Sequence, residues 1–144
     1  MLTDSRRFPY VPVANARGET ALRPQLPLTL TYQGRSVAAT GLLDTGADVN
    51  VLPYGGGLAL GAVWADQGLA VVLSGNLARY EARGIIVAAT VEPFAPVRLA
   101  FAWTQTDEVP LLLGQVNFFL EFDTCFFRAE AAFEVRPKLS RVPR

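Results

Sequence analysis

The sequence predicts an all-β fold with at most one or two short helices, on three observations. Runs that alternate apolar and polar residues recur along the 144-residue chain, as half-buried strands require. Other runs are dense in β-branched and aromatic residues, which favour a pleated surface. Ten prolines and twelve glycines punctuate these runs, at spacings that suit strands and turns better than long helices. With 51% hydrophobic and 18% charged residues the chain has a globular composition, and its length suits one domain with a real core.

The elements follow in order. Residues 1–7 are polar and basic with no apolar run behind them, unlike a signal peptide. Phe8-Pro9-Tyr10-Val11-Pro12-Val13 holds too much proline for a central strand and reads as an extended edge or arm. Residues 15–19 form a loop. Residues 26–32 alternate with period two, and Gln33-Gly34 turns them into a second strand, 36–43. After Val51-Leu52-Pro53, the glycines of Tyr54-Gly55-Gly56-Gly57 argue against regular structure; without a Gly-Lys-Ser/Thr they do not make a phosphate-binding loop. Residues 58–64 fit a helical turn or a short strand equally. Residues 69–73 and 77–82 are expected as two extended arms about a tight turn at Ser74-Gly75-Asn76. Residues 84–91 and 97–103 are core strands, and 109–114 re-enter the core after a polar loop.

Composition removes many chemistries. There is no histidine, so Ser-His-Asp and Cys-His mechanisms and imidazole-based zinc sites are excluded. The single cysteine, Cys125, lies among Phe122, Phe126 and Phe127 and reads as a buried, inert thiol. The one lysine, Lys138, lies in a proline-flanked tail, a poor place for a Ser-Lys dyad. Thirteen basic and thirteen acidic residues cancel and are dispersed, so no surface for nucleic acid is indicated. No apolar run is long enough to span a membrane. A soluble, cytoplasmic protein is the expectation, and the scarcity of cysteine agrees with it.

Carboxylate chemistry remains, and one stretch is arranged for it. In residues 41–50 an apolar run delivers Asp44 to a sharp turn and a second apolar run, Val51-Leu52, leaves it. An acid at the edge of a core is placed to act as acid or base. Thr45 adds a hydroxyl, and Gly46 permits close approach of the backbone. The bare tripeptide Asp44-Thr45-Gly46 is equally an Asx-turn after a strand. The spacing of Asp44, Asp48 and Asn50 does not match a calcium loop.

The flanks add more. Leu42-Leu43-Asp44-Thr45-Gly46-Ala47-Asp48 with its following hydrophobic pair, and Leu111-Leu112-Leu113-Gly114 ending 70 residues after Asp44, resemble the retropepsin-like aspartic proteases. These are half-size relatives of pepsin found in retroviruses and, free-standing, in bacteria. The resemblance covers roughly residues 27–136. It implies a retropepsin-like (acid protease) closed β-barrel spanning 1–144 as a single domain, with an extended N-terminal arm over about 1–25 and a mobile tail over about 137–144. It implies a short helix at 115–120, with 121–127 and 129–135 closing the sheet and terminal strands helping to hold two subunits together.

It also implies an aspartic endopeptidase with a peptide or protein substrate and neither metal nor organic cofactor. Hydrolysis needs two neighbouring carboxyls, and the chain has one Asp-Thr-Gly, so the second comes from another copy in a homodimer. Asp44, Thr45 and Gly46 are then catalytic. The 69–82 hairpin is the flap, with Ser74, Gly75 and Asn76 at its tip. Leu42, Ala47, Val51 and Leu112 are candidate subsite walls. Asp48 holds the substrate backbone; the arginine that tethers this acid in the family is replaced by Gln115, which could still hydrogen-bond it. Two rivals stand beside this reading: a dimeric module that grips a peptide without cutting it, and an Asx-turn in an unrelated β-barrel.

Overall fold

A computed structural model describes residues 2–139 of the chain. Its strands are β1 (Arg6–Pro9), β2 (Val11–Ala14), β3 (Thr20–Arg23), β4 (Gln25–Tyr32), β5 (Arg35–Leu43), β6 (Asn50–Leu52), β7 (Ala70–Val71), β8 (Ala82–Thr90), β9 (Val97–Thr104), β10 (Leu112–Leu113), β11 (Phe122–Phe127) and β12 (Ala132–Pro137). The helices are α1 (Tyr54–Ala59) and α2 (Phe118–Glu121), six and four residues long. The all-β expectation holds. No helix among the described residues is long and apolar enough to cross a membrane.

One sheet runs β4-β5-β10-β6-β9-β8-β7, and β4 pairs again with β8 through Thr29–Thr90, Leu30–Ala89 and Thr31–Ala88. That pairing closes six strands into a barrel and leaves β7 hanging from β8. Period-two alternation decides what enters the barrel. In β4, Leu26, Leu28 and Leu30 are buried while Pro27 is exposed. The interior holds Leu43, Leu52, Val87, Leu99, Phe101, Trp103 and Leu113 with these leucines. A smaller cluster of Val51, Leu73, Ala82, Ala102, Val109 and Leu112 packs separately, with Leu42, Ala47 and Val49 against it. Neighbours in sequence therefore divide between the clusters: Leu43 and Leu113 join the interior, Leu42 and Leu112 the smaller group.

Several expectations are corrected. The three glycines do not prevent a helix, for they make part of α1. The reason is contact: a Cβ on Gly57 would lie 2.1 Å from Trp103 Cε2, so only glycine lets this helix lie against the indole. Trp103 Nε1 donates to the Tyr54 carbonyl at 3.1 Å, and the two rings stack. Of the two options for 58–64, Leu58 and Ala59 take the helical one. The short helix expected at 115–120 is displaced to 118–121.

Within the arm expected over 1–25, the described residues, 2–25, are more than an arm. β2 and β3 form a hairpin about the 15–19 loop, and β1 pairs with β12. Phe8 is buried and stacks on Phe133 at 5.3 Å, which anchors what the prolines alone mark as an edge. β11 and β12 do not close the main sheet; with β1 they form a separate one, in the order β1-β12-β11. Cys125 is half-buried rather than buried, because β11 is an edge of that sheet. The tail is structured as far as Pro137 in β12, and Lys138 bonds Glu121 through both its backbone N–H and its ammonium. Residues 140–144 lie outside the described part of the chain.

Glu134 ties this second sheet together. Its side chain is 1% exposed, and it accepts hydrogen bonds from the Leu2 N–H (3.0 Å), Ser5 Oγ (3.1 Å) and Arg7 Nη1 (3.2 Å). The Leu2 N–H, then Ser5 and Arg7, hold its carboxyl below the ordinary value of 4.5, against burial acting in the opposite sense. A carboxyl lowered on folding stabilises the fold above its unfolded value and loses that contribution as pH falls through the folded one. The stability advantage of the native chain over Glu134→Gln should therefore be full at neutral pH and vanish on acidification below the ordinary glutamate range. Urea midpoints of both proteins across that range measure it.

Candidate active site

The turn after β5 is built by its neighbours. β10 lies parallel to β5, with Leu112 beside Leu42 and Leu113 beside Leu43, and antiparallel to β6, with Leu112 opposite Val51. The Leu42 N–H donates to the Leu111 carbonyl and the Asp44 N–H to that of Leu113, at 2.9 and 3.0 Å. The chain then turns: the Ala47 N–H reaches the Asp44 carbonyl at 3.1 Å, and the Gly46 N–H donates to Asp44 Oδ1 at 2.9 Å. The Asx-turn and the acid of the sequence reading are thus one feature. A Cβ on Gly46 would lie 3.3 Å from that same Oδ1, so glycine keeps the room in which the carboxylate accepts. Asp44 is half-buried in the single chain, less enclosed than its apolar approach implied.

The turn is held from behind by Asn50, which the sequence reading weighed only as a calcium ligand. Asn50 is fully buried and polar. Its Oδ1 accepts the Gly114 N–H at 2.8 Å, and its Nδ2 donates to the Ala100 carbonyl at 3.0 Å and to Asn117 Oδ1 at 3.2 Å. Asn117 in turn accepts the Ala100 N–H and donates to the Arg98 carbonyl. A Cβ on Gly114 would fall 2.6 Å from the carbonyl oxygens of both Ala47 and Val49. Glycine is needed here for close approach of two backbones. The signal in the sequence was an amide inside the apolar run Val49-Asn50-Val51-Leu52.

Asp44 opens on a cavity of about 420 Å³ whose walls include Gly46, Ala47, Asp48, Val51, Ser74, Gly75, Asn76 and Leu112. Two candidate residues lie elsewhere. Leu42 packs into the smaller apolar cluster. Thr45 is exposed and lines a separate recess with Gln115, Phe122 and Phe126.

The hairpin over the cavity differs from expectation. β7 and β8 pair only from Ala70–Arg83 to Val71–Ala82, so residues 72–81 are a long loop. Gly75–Leu77 is a 3-10 turn, not the tip of a tight hairpin. The cause is burial: Leu73 inserts into the smaller cluster with Leu77 against it, which draws the chain down where strand arms would have carried it outward. Val72, directly before Leu73, is 94% exposed. The far end is fastened where Tyr80 Oη donates to Glu108 Oε2 at 2.9 Å.

Gln115 does not reach Asp48. Its Nε2 donates to the Thr45 carbonyl at 2.8 Å, bracing the turn itself. Asp48 Oδ2 instead accepts from Ser74 Oγ at 3.5 Å, a long contact from the overlying loop. No group of three or more His, Cys, Asp and Glu side chains suited to a metal occurs among the described residues.

The Asn50 network makes a prediction. Asn50→Ala strands the Gly114 N–H and the Ala100 carbonyl in a buried place, and each loss of that kind costs about 1–3 kcal/mol. A loss of unfolding free energy in that range or above is expected from chemical denaturation, far more than for an exposed control such as Gln33→Ala.

No protein-family model matches the chain, and no curated protein matches it. Solved structures do. A retropepsin-like aspartic protease from Rickettsia conorii superposes with a TM-score of 0.58 at 12% identity, over 92% of this chain and 99% of that one. The EIAV protease, solved with an inhibitor, aligns over 72% of this chain and 88% of its own at 21% identity, with a TM-score of 0.43. The first match carries the assignment: closed six-stranded barrel, β10 laid between β5 and β6, and Asp-Thr-Gly at the turn together give this chain the retropepsin-like fold.

Proposed function

We infer that the chain is an aspartic endopeptidase that works as a homodimer. The observation that carries this reading is Asp44: an acid on a doubly hydrogen-bonded turn, facing a cavity roofed by a loop. Peptide hydrolysis without a covalent intermediate needs a base to take a proton from water and an acid to protonate the substrate. Two close carboxyls do both by sharing one proton, since both cannot carry charge at such range.

One chain offers one such carboxyl, so a two-fold axis passes between two copies of the turn and brings Asp44 opposite its symmetry mate. Thr45 is free for contact across that axis, being exposed and turned away from the Asp44 cavity. Phe126, 37% exposed beside the same recess, gives the face an apolar component.

Water held between the two carboxyls attacks the peptide carbon. One carboxylate takes the water's proton while the other carboxyl protonates the carbonyl oxygen; collapse of the tetrahedral intermediate then passes a proton to the leaving amine. Asp48 and the 72–81 loop hold the substrate backbone, and Ala47, Val51 and Leu112 contact its side chains. The residues of 1–144 act as one domain in this scheme.

Asp44→Asn should keep the fold and lower turnover by roughly a hundredfold or more, because the amide cannot exchange the shared proton. Peptide digestion read by mass spectrometry checks this. Hydrolysis by the Asn variant at the native rate, or full activity from a demonstrable monomer, would overturn the reading. Intact peptides bound by the native protein would favour a silent peptide-binding module.

Turnover should also fall once pH rises past loss of the shared proton, since no histidine is present to sustain acid–base work near neutrality. The dimer should loosen over the same interval as two carboxylates come to face each other. A pH–rate profile and sedimentation on one sample test both.

A further inference from the structure

The peptide group between Thr45 and Gly46 is held at both ends, and one of the two holders lies outside the Asp44 cavity. We propose that Gln115 is a positioning residue for the reaction, which sets the direction of the Asp44 carboxyl through that single peptide group; the proposal rests on the peptidase reading.

The chain of contacts is short. Gln115 Nε2 donates to the Thr45 carbonyl at 2.8 Å, and the Gly46 N–H donates to Asp44 Oδ1 at 2.9 Å. A carbonyl can only accept, so the part of the Gln115 amide that meets it is the NH2. This carbonyl and this N–H belong to one planar unit and point opposite ways from it, so holding both fixes the plane. A bond accepted at the carbonyl also polarises the peptide and strengthens the N–H at its other end as a donor.

The effect reaches the reacting group. Oδ1 of Asp44 is kept as the acceptor of the Gly46 N–H. A proton on Oδ1 would draw electron density away from that bond, so the proton handled in turnover is favoured on Oδ2. With one oxygen held in this way, the carboxyl loses the freedom to rotate, and the other oxygen keeps a constant place for water and for the opposing carboxyl.

Gln115 acts from outside the substrate's path. It lines a recess with Thr45, Phe122 and Phe126 and contributes nothing to the walls of the Asp44 cavity. Its main chain is secured independently of its side chain: the Gln115 N–H donates to the Ala47 carbonyl and the Val116 N–H to that of Asp48, both at 2.9 Å. Replacing the side chain therefore removes one bond and leaves the bracing of the turn in place. A residue so placed governs the chemical step and not the binding of substrate.

The test compares the native protein with Gln115→Met, which keeps the length of the side chain without its donor, and with Gln115→Lys, which returns a donor. In NMR the Gly46 amide proton reports its bond to Asp44. It should move upfield in Gln115→Met and back toward the native position in Gln115→Lys. Peptide turnover is measured per dimer, with association read by sedimentation on the same samples. In Gln115→Met kcat should fall about tenfold with KM unchanged, short of the roughly hundredfold that a displacement of about 1 Å can cost. Gln115→Lys should regain most of that loss.

A Gly46 resonance that does not move in Gln115→Met overturns the proposal whatever the kinetics show. A shifted resonance with native kcat does the same, as does a change in KM alone, which marks a substrate contact; each of these leaves the peptidase reading intact. A native protein that folds, associates and cuts no peptide overturns that reading and the proposal with it.

Discussion

The close approach of Gly114 to the turn at 44–49 is the constraint on which the rest depends. Two carbonyl oxygens, of Ala47 and Val49, stand where a Cβ at position 114 would be. Only with glycine there can β10 slide between β5 and β6 and accept the Asp44 N–H through the Leu113 carbonyl. Asn50 secures the arrangement by binding the Gly114 N–H from the opposite strand. A buried amide is costly unless its groups are satisfied, and this one spends its bonds on the backbones of β9 and β10 and on Asn117. The acid is therefore fixed by main-chain geometry, and little is asked of side chains near the chemistry.

The barrel matters to the site through its two-sidedness. Alternation along β5 and β10 sends Leu43 and Leu113 to the interior and Leu42 and Leu112 to the smaller cluster. That second cluster gives the 72–81 loop something to hold, through Leu73 and Leu77. The loop is held by buried Leu73, by half-buried Leu77 against the same cluster and at its end by Tyr80 and Glu108, while Val72, Ser74, Gly75 and Asn76 line the Asp44 cavity. In the peptidase proposed above, that partial anchoring suits a segment that covers and releases a substrate.

The sheet of β1, β12 and β11 stands apart from this machinery, but its edge comes close. Phe122, Thr124 and Phe126 of β11 share a recess with Thr45 and Gln115. Gln115 holds the Thr45 carbonyl from the same side. In the dimer proposed above, the order that Glu134 imposes on the N-terminal residues and β12 would thus be felt where the two turns meet.

By itself the sequence determined the class of fold, most strands and the position of the acid, because these are local or periodic properties. Period-two alternation at 26–32 and the Gln33-Gly34 turn into 36–43 read directly as strands, and Asp-Thr-Gly between apolar runs reads as a turn bearing a carboxyl. What it left open were contacts between distant segments. The helix through three glycines depends on Trp103, more than 40 residues away; the arm becomes a strand because Phe8 meets Phe133; Gln115 turns to Thr45 and not to Asp48. Asn50 was legible only as an amide out of place. Tertiary structure decided these because each is the satisfaction of a steric or hydrogen-bonding demand by a partner far along the chain, and a linear pattern records the demand without naming the partner.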